Sequence, residues 1–93
     1  MAEFSIINSD NNVFRQRPVV SISSTQPSSP AAGAMYILGA SPTGAVWSTC
    51  AEDDILLWTG SDWERTAPVF PMVVYAMSYR SLYHYDGTEW SAL

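Results

Sequence analysis

A nine-residue phrase occurs twice in this chain, and it narrows the possible folds more than any other feature. Ile55-Leu56-Leu57-Trp58-Thr59-Gly60-Ser61-Asp62-Trp63 returns as Leu82-Tyr83-His84-Tyr85-Asp86-Gly87-Thr88-Glu89-Trp90, with position 58 matching 85 and 63 matching 90. Each copy is an apolar run, a dipeptide ending in glycine, a hydroxyl residue, an acid and a tryptophan. Thr59-Gly60 and Asp86-Gly87 between half-buried runs predict two hairpins, because glycine supplies the positive φ that tight hairpin turns need. With Gly60 and Gly87 as the second residue of a two-residue loop, Trp58 faces Ser61 and Leu56 faces Trp63. In the second copy Tyr85 faces Thr88 and Tyr83 faces Trp90. Large cross-strand pairs of this kind fix sheet register.

The rest of the chain extends the β pattern. No stretch of ten or more residues carries a helical period. Short apolar runs near 35–38, 45–48, 55–58, 62–65, 72–77 and 82–85, with a tail near 88–92, alternate with turn residues. The expected fold class is all-β: a small antiparallel meander or barrel of short strands with two glycine-turn hairpins. Residues 1–26 read differently, as an extended N-terminal arm and linker before a β-rich module at 27–93. Asn8-Ser9-Asp10-Asn11-Asn12 is a turn cluster, Arg15-Gln16-Arg17-Pro18 adds a break, and Ser23 to Gly33 is a Ser/Pro-rich linker. The arm still holds Phe4, Ile6 and Phe14, and disordered tails are usually poor in such residues. Docking on another chain is expected, with Phe4, Ile6 and Phe14 as apolar anchors and Arg15 and Arg17 as charged contacts.

With 93 residues the chain has room for one small domain, and such domains often need staples or neighbours. Cys50 is the single cysteine, so no intrachain disulfide forms, and no Cys/His spacing suits zinc. Oligomerisation or docking onto a larger assembly is the remaining source of stability. The charged fraction of 14% is well below the roughly 25% usual for soluble domains, which suits a surface partly covered by neighbours. Nine acids stand against four arginines, with only Arg15 and Arg17 close together, so nucleic-acid binding is disfavoured. No apolar window approaches the 18 or so residues of a membrane span, and residues 1–5 lack the pattern of a secretory signal. Synthesis in the cytoplasm is expected.

Candidate chemistry is sparse. His84, the sole histidine, has no evident orienting partner or nucleophile. Cys50 precedes acids, which do not lower a thiol pKa. Glu52-Asp53-Asp54 lacks the spacing of a calcium loop and reads as a solvated turn. Gly39 to Gly44 has phosphate-loop glycine spacing, but Ala45-Val46 stands where Lys-Ser/Thr is required. No catalytic, cofactor or metal residue is assigned, and an enzyme is the weakest reading. Trp58, Trp63, Tyr83, Tyr85 and Trp90 offer a possible stacking platform for sugar rings. Their placement beside turn glycines favours core and interchain contacts instead.

Pro27-Ser28-Ser29-Pro30-Ala31-Ala32-Gly33-Ala34-Met35-Tyr36-Ile37-Leu38-Gly39 resembles an opening of the form P-x-S-P-A-E-G-D-x-Y-I-V-G. Gly44-Ala45-Val46-Trp47, the two repeat phrases and Ala67-Pro68 follow in matching order. The chain thus resembles, over about residues 19–92, a small domain family of tailed bacteriophages, prophages and gene transfer agents that recurs in tail-associated and head-spike proteins. Ala32 and Ala34 depart from the acidic pair common there, and residues 1–18 replace a helical segment. The resemblance implies a virion structural protein, a tail fibre or adaptor part or a head spike or decoration component. Other virion proteins are its implied partners, through residues 1–26. A homo-oligomer is expected, with a trimer favoured. The alternative is a host-surface glycan-binding module built on the five aromatic residues.

Overall fold

The computed structural model describes residues 18–93. The fold is all-β, in two sheets. The first contains β1 (Ser21–Thr25), β2 (Met35–Thr43), β3 (Ile55–Trp58) and β4 (Trp63–Thr66), in that spatial order. The second contains β5 (Val73–Ala76), β6 (Ser81–Tyr85) and β7 (Trp90–Ala92). Neighbours pair antiparallel except β1 and β2, which run parallel.

The continuous apolar runs of β2 and β3 have a direct cause: the first sheet is covered on both faces, and such strands lose the in–out alternation of one-sided sheets. One face carries Ile37 and Ile55 toward Val74 and Ala76 of the second sheet, with Val19 completing a buried cluster. The other carries Leu38 and Leu56 under Trp47, whose side chain is wholly buried. Trp47 sits on a single 3-10 turn, Trp47–Thr49, where the sequence predicts a strand over 45–48. The Gln26 side-chain carbonyl accepts from the backbone N–H of Val46 (2.9 Å) and Trp47 (3.0 Å), holding that turn in place. Tyr36 and Trp63 meet the Trp47 ring edge-on at 5.4 and 5.3 Å, the arrangement that the ring quadrupole favours.

Both repeat phrases form hairpins, with a loop displaced by one residue from the sequence expectation. Trp58 pairs with Trp63 rather than Ser61, and Tyr85 with Trp90 rather than Thr88. Gly60 and Gly87 therefore stand first in their loops, at φ of 111° and 107°. The residue before each glycine is the reason. Thr59 Oγ1 accepts from the N–H of Ser61 and Asp62, and Asp86 Oδ1 accepts from the N–H of Thr88 and Glu89. These side-chain oxygens take the donors that the backbone carbonyl accepts in a two-bond turn, so Thr59 and Asp86 become anchors rather than loop residues.

Residues 18–26, grouped by the sequence with the arm, pair within the chain itself. Val19 is fully buried, its N–H donates to the Tyr75 carbonyl, and its own carbonyl accepts from Met77, both at 2.9 Å. It bridges the two sheets beside Ala76. β1 then pairs with β2, and the Ser/Pro-rich stretch is the nine-residue connection (26 to 34) between these parallel strands. It is shorter than the dozen or more residues usual for such a crossing. Phe4, Ile6, Phe14, Arg15 and Arg17 lie outside the described residues.

Candidate functional site

Two features of the fold are candidates for function. The first is a cleft of about 280 Å³ between the β3–β4 hairpin and the start of the crossover. The hairpin register places Trp58 directly opposite Trp63, with ring centroids 5.2 Å apart and planes inclined at 54°. Pro27 and Pro30 line it from the crossover, and Ser28, Ser61 and Asp62 are polar residues of its lining. Gln26 shapes this lining, because the same side chain that caps the Trp47 turn begins the crossover.

The arrangement supplies flat apolar faces beside hydroxyl and carboxylate groups. Asp62 takes part in the turn only through its backbone: its N–H donates to Thr59 Oγ1, and its carbonyl accepts from the Thr59 N–H and hydroxyl. The carboxylate points to no hydrogen-bond donor among the described residues. Arg65 is engaged elsewhere, its Nε 2.6 Å from Oδ2 of buried Asp54, which also accepts from the Ala51 N–H. The sequence reads Asp54 as part of a solvated acidic turn; the structure buries it with a cation two positions along the neighbouring strand from Trp63.

Of the five aromatic residues proposed as a platform, the cleft takes Trp58 and Trp63. Tyr85 and Trp90 repeat the pair in the second hairpin, 5.4 Å apart at the same 54° inclination. The second ring of each pair is built into the fold: Trp63 packs on the Trp47 cluster, and Trp90 packs on the inter-sheet core with its Nε1 donating to the Asp53 carbonyl at 2.9 Å. Tyr83 packs on the same core. Gln26, Pro27, Ser28 and Pro30 escape sequence reasoning, since nothing in a Ser/Pro-rich run signals that it folds back against a hairpin.

The second candidate is the outer face of the second sheet. Val74 and Ala76 point inward, so Val73 and Tyr75 point out, and their partners His84 and Leu82 lie beside them. The Leu93 N–H donates to the Leu82 carbonyl, extending the row. Tyr75, Leu82 and Leu93 are 42%, 46% and 69% exposed. Phe70, Met77 and Tyr79 are exposed apolar side chains from the loops bordering β5.

Electrostatics near the second hairpin run in two directions. Hydrogen bonds from the Thr88 and Glu89 N–H groups and the Thr88 hydroxyl hold the Asp86 carboxyl below its ordinary pKa. Partial burial pushes Asp53 up, and the carboxylates of Glu52, Glu89, Asp54 and Asp86 add to the effect. Among the described residues no group of three His, Cys, Asp or Glu side chains is placed to hold a metal ion. No described helix is long and apolar enough to cross a membrane.

A family model described as a protein of unknown function (DUF2793) matches residues 13–91. The chain belongs to that family. No curated protein and no solved structure matches it. The DUF2793 match takes in both sheets, both hairpins and the crossover that walls the cleft. It also begins at Val13, ahead of the buried Val19, so Phe14, Arg15 and Arg17 fall within the DUF2793 region while Phe4 and Ile6 precede it.

Proposed function

We propose that this chain is a bacteriophage virion structural protein, a small oligomeric β module fixed to the particle by its N-terminal residues. The observation that carries this reading is the outer face of the second sheet. A strip of Tyr75, Leu82 and Leu93, each at least 42% exposed, is an unusual surface for an isolated domain of this size. Covering it by copies or by other virion proteins removes apolar area from water and so adds stability to a small β module. The low charged fraction and the resemblance of the motif order to that of tail-associated and head-spike domains support the same role. A location on the head surface or in the tail fits equally, and a trimer is the favoured assembly.

Two variants test the reading. Leu82→Asp places a charge in the strip without entering the core, and should leave the module folded while blocking self-association in sedimentation equilibrium. Deletion of residues 1–17 should leave a folded module that no longer enters particles, read by mass spectrometry of purified virions. Normal incorporation of the truncated chain removes the anchoring role; unchanged association of the Leu82 variant removes the strip from the interface.

A second reading, a host-surface glycan-binding module, is favoured by one specific observation: the Trp58–Trp63 pair opens onto a cleft with polar groups at its edge.

A further inference from the structure

We infer that the cleft beside Trp58 and Trp63 binds a single neutral hexopyranoside ring, seated on the indoles and hydrogen-bonded to the Asp62 carboxylate. The inference rests on the glycan reading and narrows it to a site, a size and a charge class. Three observations carry it. The first is the surface chemistry: a pyranose has a C–H-rich face that packs on aromatic rings and a rim of hydroxyls that need polar partners. The inclined indoles meet the face, and Ser28, Ser61 and Asp62 meet the rim.

The second is what the two hairpins do with equivalent groups. In the second copy the Trp90 indole N–H is committed to the Asp53 carbonyl, and the turn is held by the Asp86 carboxylate. In the first copy the Thr59 hydroxyl holds the turn, and the Asp62 carboxylate, like that of its counterpart Glu89, accepts no hydrogen bond from the described residues and is left for another donor. The described residues give no hydrogen-bond partner to the Trp58 or Trp63 indole N–H either. Carboxylates and indole N–H groups are of the kind that sugar hydroxyls engage.

The third is size and charge. A volume of about 280 Å³ lies at the low edge of the roughly 300–1,000 Å³ of small-molecule pockets, room for one ring rather than a chain of them. Asp62 is the one charged residue among the described residues lining the cleft. Of the described arginines, Arg65 is paired with Asp54 and Arg80 sits in the β5–β6 turn, and neither lines it. A sialic or uronic acid would meet the Asp62 carboxylate with no compensating cation among the described residues, which favours a neutral ring.

The test is a two-dimensional 1H–15N titration of the full chain with methyl β-glucopyranoside, methyl β-galactopyranoside and methyl N-acetyl-β-glucosaminide. Saturable shifts are expected at the Trp58 and Trp63 indole N–H signals and at the Ser61 and Asp62 amides, with the Trp47 and Trp90 indoles unmoved. The ligand efficiency of so small a ligand places Kd on the order of 1 mM. Asp62→Ala, in a turn that its carboxylate does not hold, should weaken binding about tenfold, the worth of a charge-assisted hydrogen bond. Trp58→Ala should abolish it, with an unmoved Trp47 signal showing that the fold is kept. Unchanged Kd in Asp62→Ala, or shifts centred elsewhere, overturns the assignment. Binding of methyl glucuronide or methyl sialoside without any neutral glycoside overturns the charge argument while leaving a glycan module standing. No saturable shift with either class overturns both.

Discussion

Replacing Val19 by Ala separates a docked arm from a structural strand. Val19 has no exposed surface, packs with Ile37, Ile55, Val74 and Ala76 between the sheets, and carries backbone hydrogen bonds to both sides of Ala76. The substitution removes two methyl-sized groups from that core. At about 0.8 kcal/mol per buried group the transfer loss is about 1.6 kcal/mol. The cavity left between two sheets contributes a further ~1 kcal/mol if the sheets do not close on it. A total of about 2–3 kcal/mol is a large share of the stability of a small domain, usually about 5–15 kcal/mol. At ~4–8 °C per kcal/mol for a domain of this length, Tm should fall by about 8–24 °C. Near-ultraviolet circular dichroism at fixed protein concentration follows the loss, and urea titration at unchanged slope confirms that stability and not compactness has moved. Pro18→Ala, one residue earlier and exposed, is the control, expected within about 0.5 kcal/mol of the parent. A Val19→Ala protein melting within about 2 °C of the parent would refute the reasoning, because a buried bridge between two sheets cannot be trimmed without loss.

Three further substitutions probe the remaining parts of the fold. Asp86 has a folded pKa below its unfolded value, so its contribution is present above the unfolded pKa and disappears as pH falls through the folded one. Asp86→Asn should therefore flatten the acid limb of a Tm-against-pH curve, and an acid limb identical to the parent's would exclude the carboxylate as the turn anchor. Arg65→Met leaves the Asp54 carboxylate buried with only the Ala51 N–H; with Arg65 itself half exposed, a loss of about 1–3 kcal/mol is expected in urea unfolding. Gly87→Val should cost about 1–2 kcal/mol from backbone strain alone, since its φ is 107° and no atom lies within 4 Å of an added Cβ. A neutral result there would mean that the turn adopts another conformation.

What could be read in advance followed local chemistry, and what could not depended on partners distant in the chain. The repeated phrase announced two hairpins because apolar runs around glycine are a local signal. The loop position was off by one residue because the Asn-Gly rule puts glycine second, whereas Thr59 and Asp86 use their side chains to anchor the turn. Ser21-Ile22-Ser23-Ser24-Thr25 has the composition of a linker and becomes a strand only through pairing with β2. Ala45-Val46-Trp47 has β-prone residues, yet Gln26, some 20 positions earlier, captures its amides and winds it into a 3-10 turn. Asp54 is buried for a similar reason, because Arg65 reaches it from the adjacent strand. The cleft is half legible in the sequence: Trp58 and Trp63 stand out as stacking rings, but the rest of its lining comes largely from a Ser/Pro-rich stretch with the composition of a spacer.

The most direct measurement is a cryo-electron-microscopy reconstruction of phage particles assembled in cells that produce this chain. The account predicts density for the two-sheet module with Tyr75, Leu82 and Leu93 pressed against a neighbouring subunit, and with the Trp58–Trp63 cleft facing solvent. Particles that lack the module, or that carry it with that apolar strip open to water, would contradict a role in virion assembly.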